Sequence, residues 1–443
     1  MFNRLADLWH HKEAPPPSAS TEDEADAARA PRATHSVMRR EAMLGRDRRV
    51  AAYSFMLRRQ ADDPRDTSLP EVARLYDATL LDNLKRMDID RLKGQRLAFV
   101  PLSVHTLDLP QVRDWPAGGT VWWLSVDLQQ PPGTEVMQKM ATLKDAGAQF
   151  ALPAAAAAEA GWQPLLQLAD YIVVDVGSED MASITAQMTL VSRIASSRHF
   201  VASNVQTLET FHACHKLQFA LFLGPFVTRR ETLDSPPMGP SRAKVLDLMN
   251  RVRTGAELGE LGERFRHDPA LSLRLLRYVN SPGIGLLNKV GGIEQALMVL
   301  GQDKLYRWLT MILFTGGQSQ DLDNALLENA MVRARLAESL AGKALFAKAR
   351  DEVFVTGLFS LLDVVLSTPM DQVLRQIPLP AEIVEALLHR RGPYAPYLEL
   401  AIACEQDDQA SLEALANEIG RDLADINLAH VEALLWAQQL NEL

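Results

Sequence analysis

Between residues 97 and 222 the chain repeats one pattern six times: a short, almost wholly apolar run followed by enough residues for a helix. The runs are Leu97–Val100, Val121–Val126, Phe150–Leu152, Tyr171–Asp175, Phe200–Ala202 and Phe219–Phe222. Segments such as Thr134–Asp145 and Asp180–Ser196 are long enough for crossover helices, and helical spacing also links Val72, Leu75, Tyr76, Leu80 and Leu84. Strands without a polar face are covered on both sides, which is the condition of a parallel sheet flanked by helices. So many βα units in about 190 residues predict a barrel closed on itself. A doubly wound sheet is the other topology, but no Gly-rich phosphate fingerprint follows the first strand. Ahead of this pattern, Val37–Met43 and Val50–Leu57 flank Gly45-Arg46-Asp47, which predicts a hairpin. Its Arg39, Arg40, Arg46, Arg48 and Arg49 are expected on a solvated rim.

The pattern changes at Ser235-Pro236-Pro237-Met238-Gly239-Pro240, a break rich in Pro and Gly. From Arg242 onward only helical periodicity remains, with helices expected at Ile293–Leu300, Lys304–Phe314, Asn324–Ala347 and Glu352–Leu366 among others. Asp268-Pro269 starts one helix and Ser281-Pro282-Gly283 ends it. The expected division is a disordered tether over 1–36, a barrel over 37–232 and an all-helical domain over 233–443. Two cores also suit 443 residues. The tether is assigned on Pro15-Pro16-Pro17, the acidic run Glu22-Asp23-Glu24 and the lack of apolar periodicity. Its first residues place Phe2, Leu5, Leu8 and Trp9 on one helical face, a frayed terminus by expectation.

Composition narrows the function classes. With 46 Lys and Arg against 56 Asp and Glu, the formal charge of −10 opposes nonspecific nucleic-acid binding. The two cysteines, Cys214 and Cys404, form no CxxC, so neither a disulfide framework nor a zinc ribbon is expected. No run approaches the length of a membrane span. A cytoplasmic, reducing location is expected.

In an α/β barrel, chemistry sits at the C-terminal ends of the strands. Those positions offer only Asp127 and Asp175 as carboxylates, among Ser103, Ser125, Pro153, Ala154, Ser203, Asn204 and Leu223. Two carboxylates make a poor cage for divalent cations, and each is expected to act as a strand-end hydrogen-bond acceptor. In His212-Ala213-Cys214-His215 the histidines share one helical face and Cys214 points away, so a buried thiol is expected rather than a metal site. His389-Arg390-Arg391 suits a helix C-terminus before Gly392-Pro393.

The run Arg49-Val50-Ala51-Ala52-Tyr53-Ser54-Phe55-Met56-Leu57-Arg58 resembles the opening of an EAL domain, the barrel that hydrolyses cyclic di-GMP. The helical half resembles an HDOD domain, a relative of the HD phosphohydrolases of HD-GYP type. The stretches that carry this are His267–Ser281, Gly291–Gly301 and Gly357–Asp363. Together they are similar to bacterial EAL-HDOD signalling proteins. The resemblance implies active-site groups at places that fall here on Ser54, Pro101, Pro153-Ala154, Ser203 and Leu223, and a water-positioning Lys at the place of Val173, with only Asp175 retained. It also implies that the His-Asp dyad of the HD relatives falls on Ser360-Leu361, leaving Asp363 and the scattered His267, His389 and His430.

The fold expected is therefore α/β plus all-α: a degenerate EAL-type (β/α) barrel followed by an HDOD domain. The function expected is a non-catalytic cytoplasmic adaptor, with no enzyme activity, no cofactor and no metal. It would contact signalling proteins in cyclic di-GMP, motility, attachment or two-component circuits, with self-association as a second kind of contact and no nucleic acid or membrane span. A cyclic di-GMP sensor without hydrolysis is the alternative, and an active phosphodiesterase a third. The surface expected to meet a partner is the Asp268–Ser281 segment, through Arg274 and Arg277, with Tyr278 and Asn280 partly tied up in structure.

Overall fold

The computed structural model describes residues 37–57, 70–116, 118–177, 180–229, 240–280, 289–315, 320–406 and 408–441. The expected tether and the 232/233 boundary lie outside them, as does the Ser281-Pro282-Gly283 turn. Eight strands form a closed barrel in sequence order: β1 (Met38–Gly45), β2 (Val50–Leu57), β3 (Leu97–Ser103), β4 (Thr120–Ser125), β5 (Gln149–Pro153), β6 (Tyr171–Asp175), β7 (His199–Ser203) and β8 (Leu221–Leu223). β1 runs antiparallel to both β2 and β8, and the remaining pairs are parallel. The helices of this half are α1 (Pro70–Arg86), α2 (Ile89–Lys93), α3 (Pro110–Arg113), α4 (Thr134–Asp145), α5 (Gln163–Leu166), α6 (Met181–Ile194) and α7 (Leu208–Lys216).

Alternation along the strands separates two buried layers. Met43, Ala52, Phe99, Val121, Ala151, Val173, Val201 and Leu221 fill the barrel. Their neighbours Tyr53, Phe55, Val100, Trp122, Phe150, Ile172, Ala202 and Phe222 belong to the other buried layer, shared with the helices. The expected hairpin is thus two staves of the barrel.

The second half holds α8 (Pro240–Arg253), α9 (Leu258–Arg266), α10 (Pro269–Val279), α11 (Ile293–Thr315), α12 (Gln320–Ala341), α13 (Ala347–Phe359), α14 (Leu362–Leu366), α15 (Met370–Leu374), α16 (Ala381–His389), α17 (Ala395–Ala403), α18 (Gln409–Glu418) and α19 (Leu423–Asn441). Local signals account for several boundaries. Asp268 accepts from the Leu271 N–H at 3.1 Å and Pro269 opens α10. Gly301, at φ 70°, interrupts α11 where two separate helices are expected. The expected helix over Glu352–Leu366 is two, because Ser360 turns its hydroxyl back to the Gly357 carbonyl (2.7 Å) and Leu361 leaves helical geometry. Gly357 lets α12 and α13 approach closely, since a Cβ there would lie 2.5 Å from the Ala334 Cα.

One contiguous apolar cluster runs from the barrel's outer layer into the helical half. Contacts across the junction join α2 to α19, and the 3₁₀ turn Pro225–Val227 after β8 to α12. Among the described residues no helix is long and apolar enough to cross a membrane.

Candidate functional site

The strand ends carry what the sequence places there. Asp175 closes β6, where its Oδ1 accepts from the Gly177 N–H (2.9 Å) and the Asn204 side-chain amide (3.2 Å). Gly177 is required at this contact, since a Cβ would come within 2.2 Å of Asn204 Nδ2. Asp127 accepts from the Gln129 N–H (3.0 Å) and stays exposed. Both carboxylates therefore act as strand-end acceptors. Ser125 and Ser203 hydroxyls turn back to the carbonyls of Leu102 and Val174. Ser54 differs: it is wholly buried, and its hydroxyl has no hydrogen-bond partner.

The surroundings of Ser360 are filled from within the helical half. Arg333 of α12 donates from Nη1 to the Ser360 hydroxyl (3.1 Å), and from Nε and Nη2 to the two Glu405 carboxylate oxygens, each at 2.7 Å. This fork-on-fork pairing is the geometry in which Arg holds a carboxylate best. Asp363 lies nearby; burial raises its carboxyl above the usual range, partly opposed by the Val364 N–H and the charges of Arg333 and Arg390. His267 follows α9, His389 ends α16 and His430 lies in α19, so these three histidines sit on separate elements.

Among the described residues no three His, Cys, Asp or Glu side chains gather as metal ligands would. In the His212–His215 segment Cys214 is a free, buried thiol, and burial pushes its pKa up to about 11. His215 Nε2 lies 3.1 Å from the Arg46 carbonyl, while His212 is disfavoured as a cation by burial and by Arg48, His215 and Lys216. The Asp268–Ser281 stretch of the helical half is described up to Asn280. Asn280 is tied to Val290 by two hydrogen bonds, and Tyr278 packs on Trp308, whereas Arg274 and Arg277 are exposed.

The hairpin arginines need correcting. Arg46 donates to the His215 and Phe219 carbonyls (both 3.1 Å), so it fastens the turn to α7. Arg40 is not on a solvated rim at all: its side chain is 3% exposed and donates from Nη2 to Glu328 Oε1 at 2.7 Å, with Glu328 5% exposed. The same oxygen accepts from the Tyr53 hydroxyl at 2.6 Å. Arg40 stacks over the Tyr53 ring, and Arg96 donates to the Tyr53 oxygen at 2.9 Å. Burial holds the Tyr53 hydroxyl well above the ordinary phenol range, so it is a donor at any ordinary pH. One sequence signal pointed here: Glu328 stands alone in the apolar stretch from Ala325 to Val332, where Asn329 is its one polar companion.

Residues 236–377 match the HDOD domain family. Over 288 residues the chain is 28% identical to the cyclic di-GMP phosphodiesterase CdgJ of Vibrio cholerae, which covers 64% of this chain and 65% of that protein. Over 244 residues it is 25% identical to the uncharacterized protein YuxH of Bacillus subtilis, covering 54% of this chain and 59% of the relative. The chain thus spans about two thirds or less of these relatives. Among solved structures, the FimX EAL domain of Pseudomonas aeruginosa bound to c-di-GMP aligns with a TM-score of 0.35 at 16% identity, over 46% of this chain and 95% of that one. The expectation that the chain is no enzyme is corrected by the Vibrio cholerae relative, which bears the name of a phosphodiesterase. That expectation rested on ligand positions carried over from a family resemblance.

Proposed function

We propose that the protein is a cytoplasmic cyclic di-GMP signalling protein in which a barrel (37–232) and an HDOD-type helical half (233–443) work as one joined body. In this reading the helical half presents the surface that meets other signalling proteins. The observation that carries it is the HDOD match over 236–377, in a chain that is 28% identical over 288 residues to a protein named a cyclic di-GMP phosphodiesterase. On α10, Leu271, Leu275 and Val279 face the core, while Leu273, Arg274 and Arg277 are exposed. Arginine is among the residue types that most often anchor interfaces. A second reading, hydrolysis of cyclic di-GMP, is favoured by the printed name of the same relative.

One titration separates the two readings. Purified protein is mixed with cyclic di-GMP and Mg²⁺ or Mn²⁺, and both bound and linearised dinucleotide are measured. Binding with the dinucleotide intact supports the signalling reading, and a linear product supports the second. Neither binding nor product overturns both. Charge reversal of Arg274 and Arg277 together should abolish capture of any partner identified with the wild type, while the melting temperature stays within about 2 °C, as for surface changes.

A further inference from the structure

The junction between the halves is more than packed apolar surface. Arg40 (β1), Tyr53 (β2) and Arg96, which stands just before β3, belong to the barrel, and Glu328 (α12) to the helical half. They form one buried chain of hydrogen bonds: Arg96 to the Tyr53 oxygen, Tyr53 to Glu328, and Arg40 to the same carboxylate oxygen. Met38 adds a backbone N–H donated to Asn427 of α19 (2.8 Å). Beyond Glu328 the polar path continues. Arg40, Tyr53, Glu328, Glu405 and His430 line a cavity of about 20 Å³, room for one water. Glu405 in turn pairs with Arg333, which holds Ser360.

Two placements give this path a direction. Tyr53 precedes Ser54, whose side chain is buried in the closed barrel without a partner, so a clamp on Tyr53 fixes the strand that presents Ser54. Glu328 and Arg333 lie five positions apart on one helix, so α12 bears both the junction and the polar core of its own half. A shift of β2 is therefore felt at Arg333 through a single rigid element.

We infer that Arg40, Tyr53 and Glu328 form an interdomain lock, through which the helical half fixes strand β2 and the two halves unfold and respond as one unit. The Glu328 carboxylate meets the Arg40 guanidinium and the Tyr53 phenol, whose oxygen also accepts from Arg96. Removing Glu328 takes the counter-charge from Arg40, 3% exposed, and leaves it the neutral acceptors Leu92 carbonyl (3.0 Å) and Gln438 (3.5 Å), an outcome costlier than losing a surface pair. The lock rests on the proposed signalling reading only for its response to a ligand.

The test uses the full chain. Calorimetry of the wild type should give a single transition. Glu328→Ala should lower it by about 5 °C and split it in two. Tyr53→Phe, which leaves Arg40 and Glu328 paired, should lower it by a few degrees and reduce amide protection in β2 and α12 together. It keeps the test open should Glu328→Ala fail to fold. A single transition within about 1 °C of wild type in both variants overturns the lock. Cyclic di-GMP is then the probe for transmission: in wild type it should slow exchange in α12, and in Tyr53→Phe in the barrel alone. Equal slowing of α12 in both overturns the transmission. Absence of binding to the wild type removes the signalling reading instead, and the calorimetric result still stands on its own.

Discussion

Two buried serines, one in the barrel and one in the helical half, differ in what surrounds their hydroxyls. Ser54 in β2 is fully buried and its hydroxyl bonds to nothing. Ser360 after α13 is also buried, yet its hydroxyl donates to the Gly357 carbonyl and accepts from Arg333, itself forked onto Glu405. The helical half has built its own cation into the space, and that cation is covalently part of α12. The barrel has left a polar group in an apolar layer. The difference teaches that the same kind of residue carries opposite energetic signs in the two halves, set by whether a guanidinium reaches it.

The largest expected effect falls on that guanidinium. Arg333→Ala leaves Glu405 and Ser360 without their donor and should destabilise the chain by about 3 kcal/mol, read as a shift of the urea midpoint. A loss under about 1 kcal/mol would mean that Arg333 merely fills space, and the contrast between the serines would collapse. Ser54→Ala should move the other way, stabilising by about 1 kcal/mol because an unsatisfied hydroxyl is removed from the barrel interior. Destabilisation by Ser54→Ala would reveal a partner for the hydroxyl and erase the difference between the halves.

The smallest effect sharpens the comparison by pH. Burial raises the Asp363 carboxyl beside Arg333 above its ordinary value, so the folded state favours the protonated form. Such a group contributes most below the ordinary carboxylate pKa, and its contribution is lost as pH rises through the folded value. Asp363→Asn keeps the acceptor for the Val364 N–H (2.9 Å). The variant should melt slightly higher than wild type at pH 7 and alike at acid pH. A difference that grows on acidification would show that Asp363 is held as a carboxylate by Arg333 and Arg390.

Much of the architecture was legible in the residues because its signals are local. Apolar strands at βα spacing gave the barrel, with β6 at its expected bounds of Tyr171–Asp175. The Asp268-Pro269 cap gave the start of α10, and Gly301 gave the interruption of α11. The helix expected across Glu352–Leu366 failed at Ser360, because apolar periodicity continues through a break that a side-chain hydroxyl makes. The barrel pattern also marked the strand ends, where both aspartates stand as acceptors, whereas the absence of activity that the resemblance implied is contradicted by the name of the Vibrio cholerae relative.

The amino-acid sequence by itself determined two halves of different class, because periods of two and 3.6 residues are written in neighbouring side chains. Only the tertiary structure decided which charges are buried. Arg40 looks like its exposed neighbour Arg49, and what distinguishes it is Glu328, 288 positions away. A charge leaves water only where an opposite one waits, and local pattern does not record that meeting.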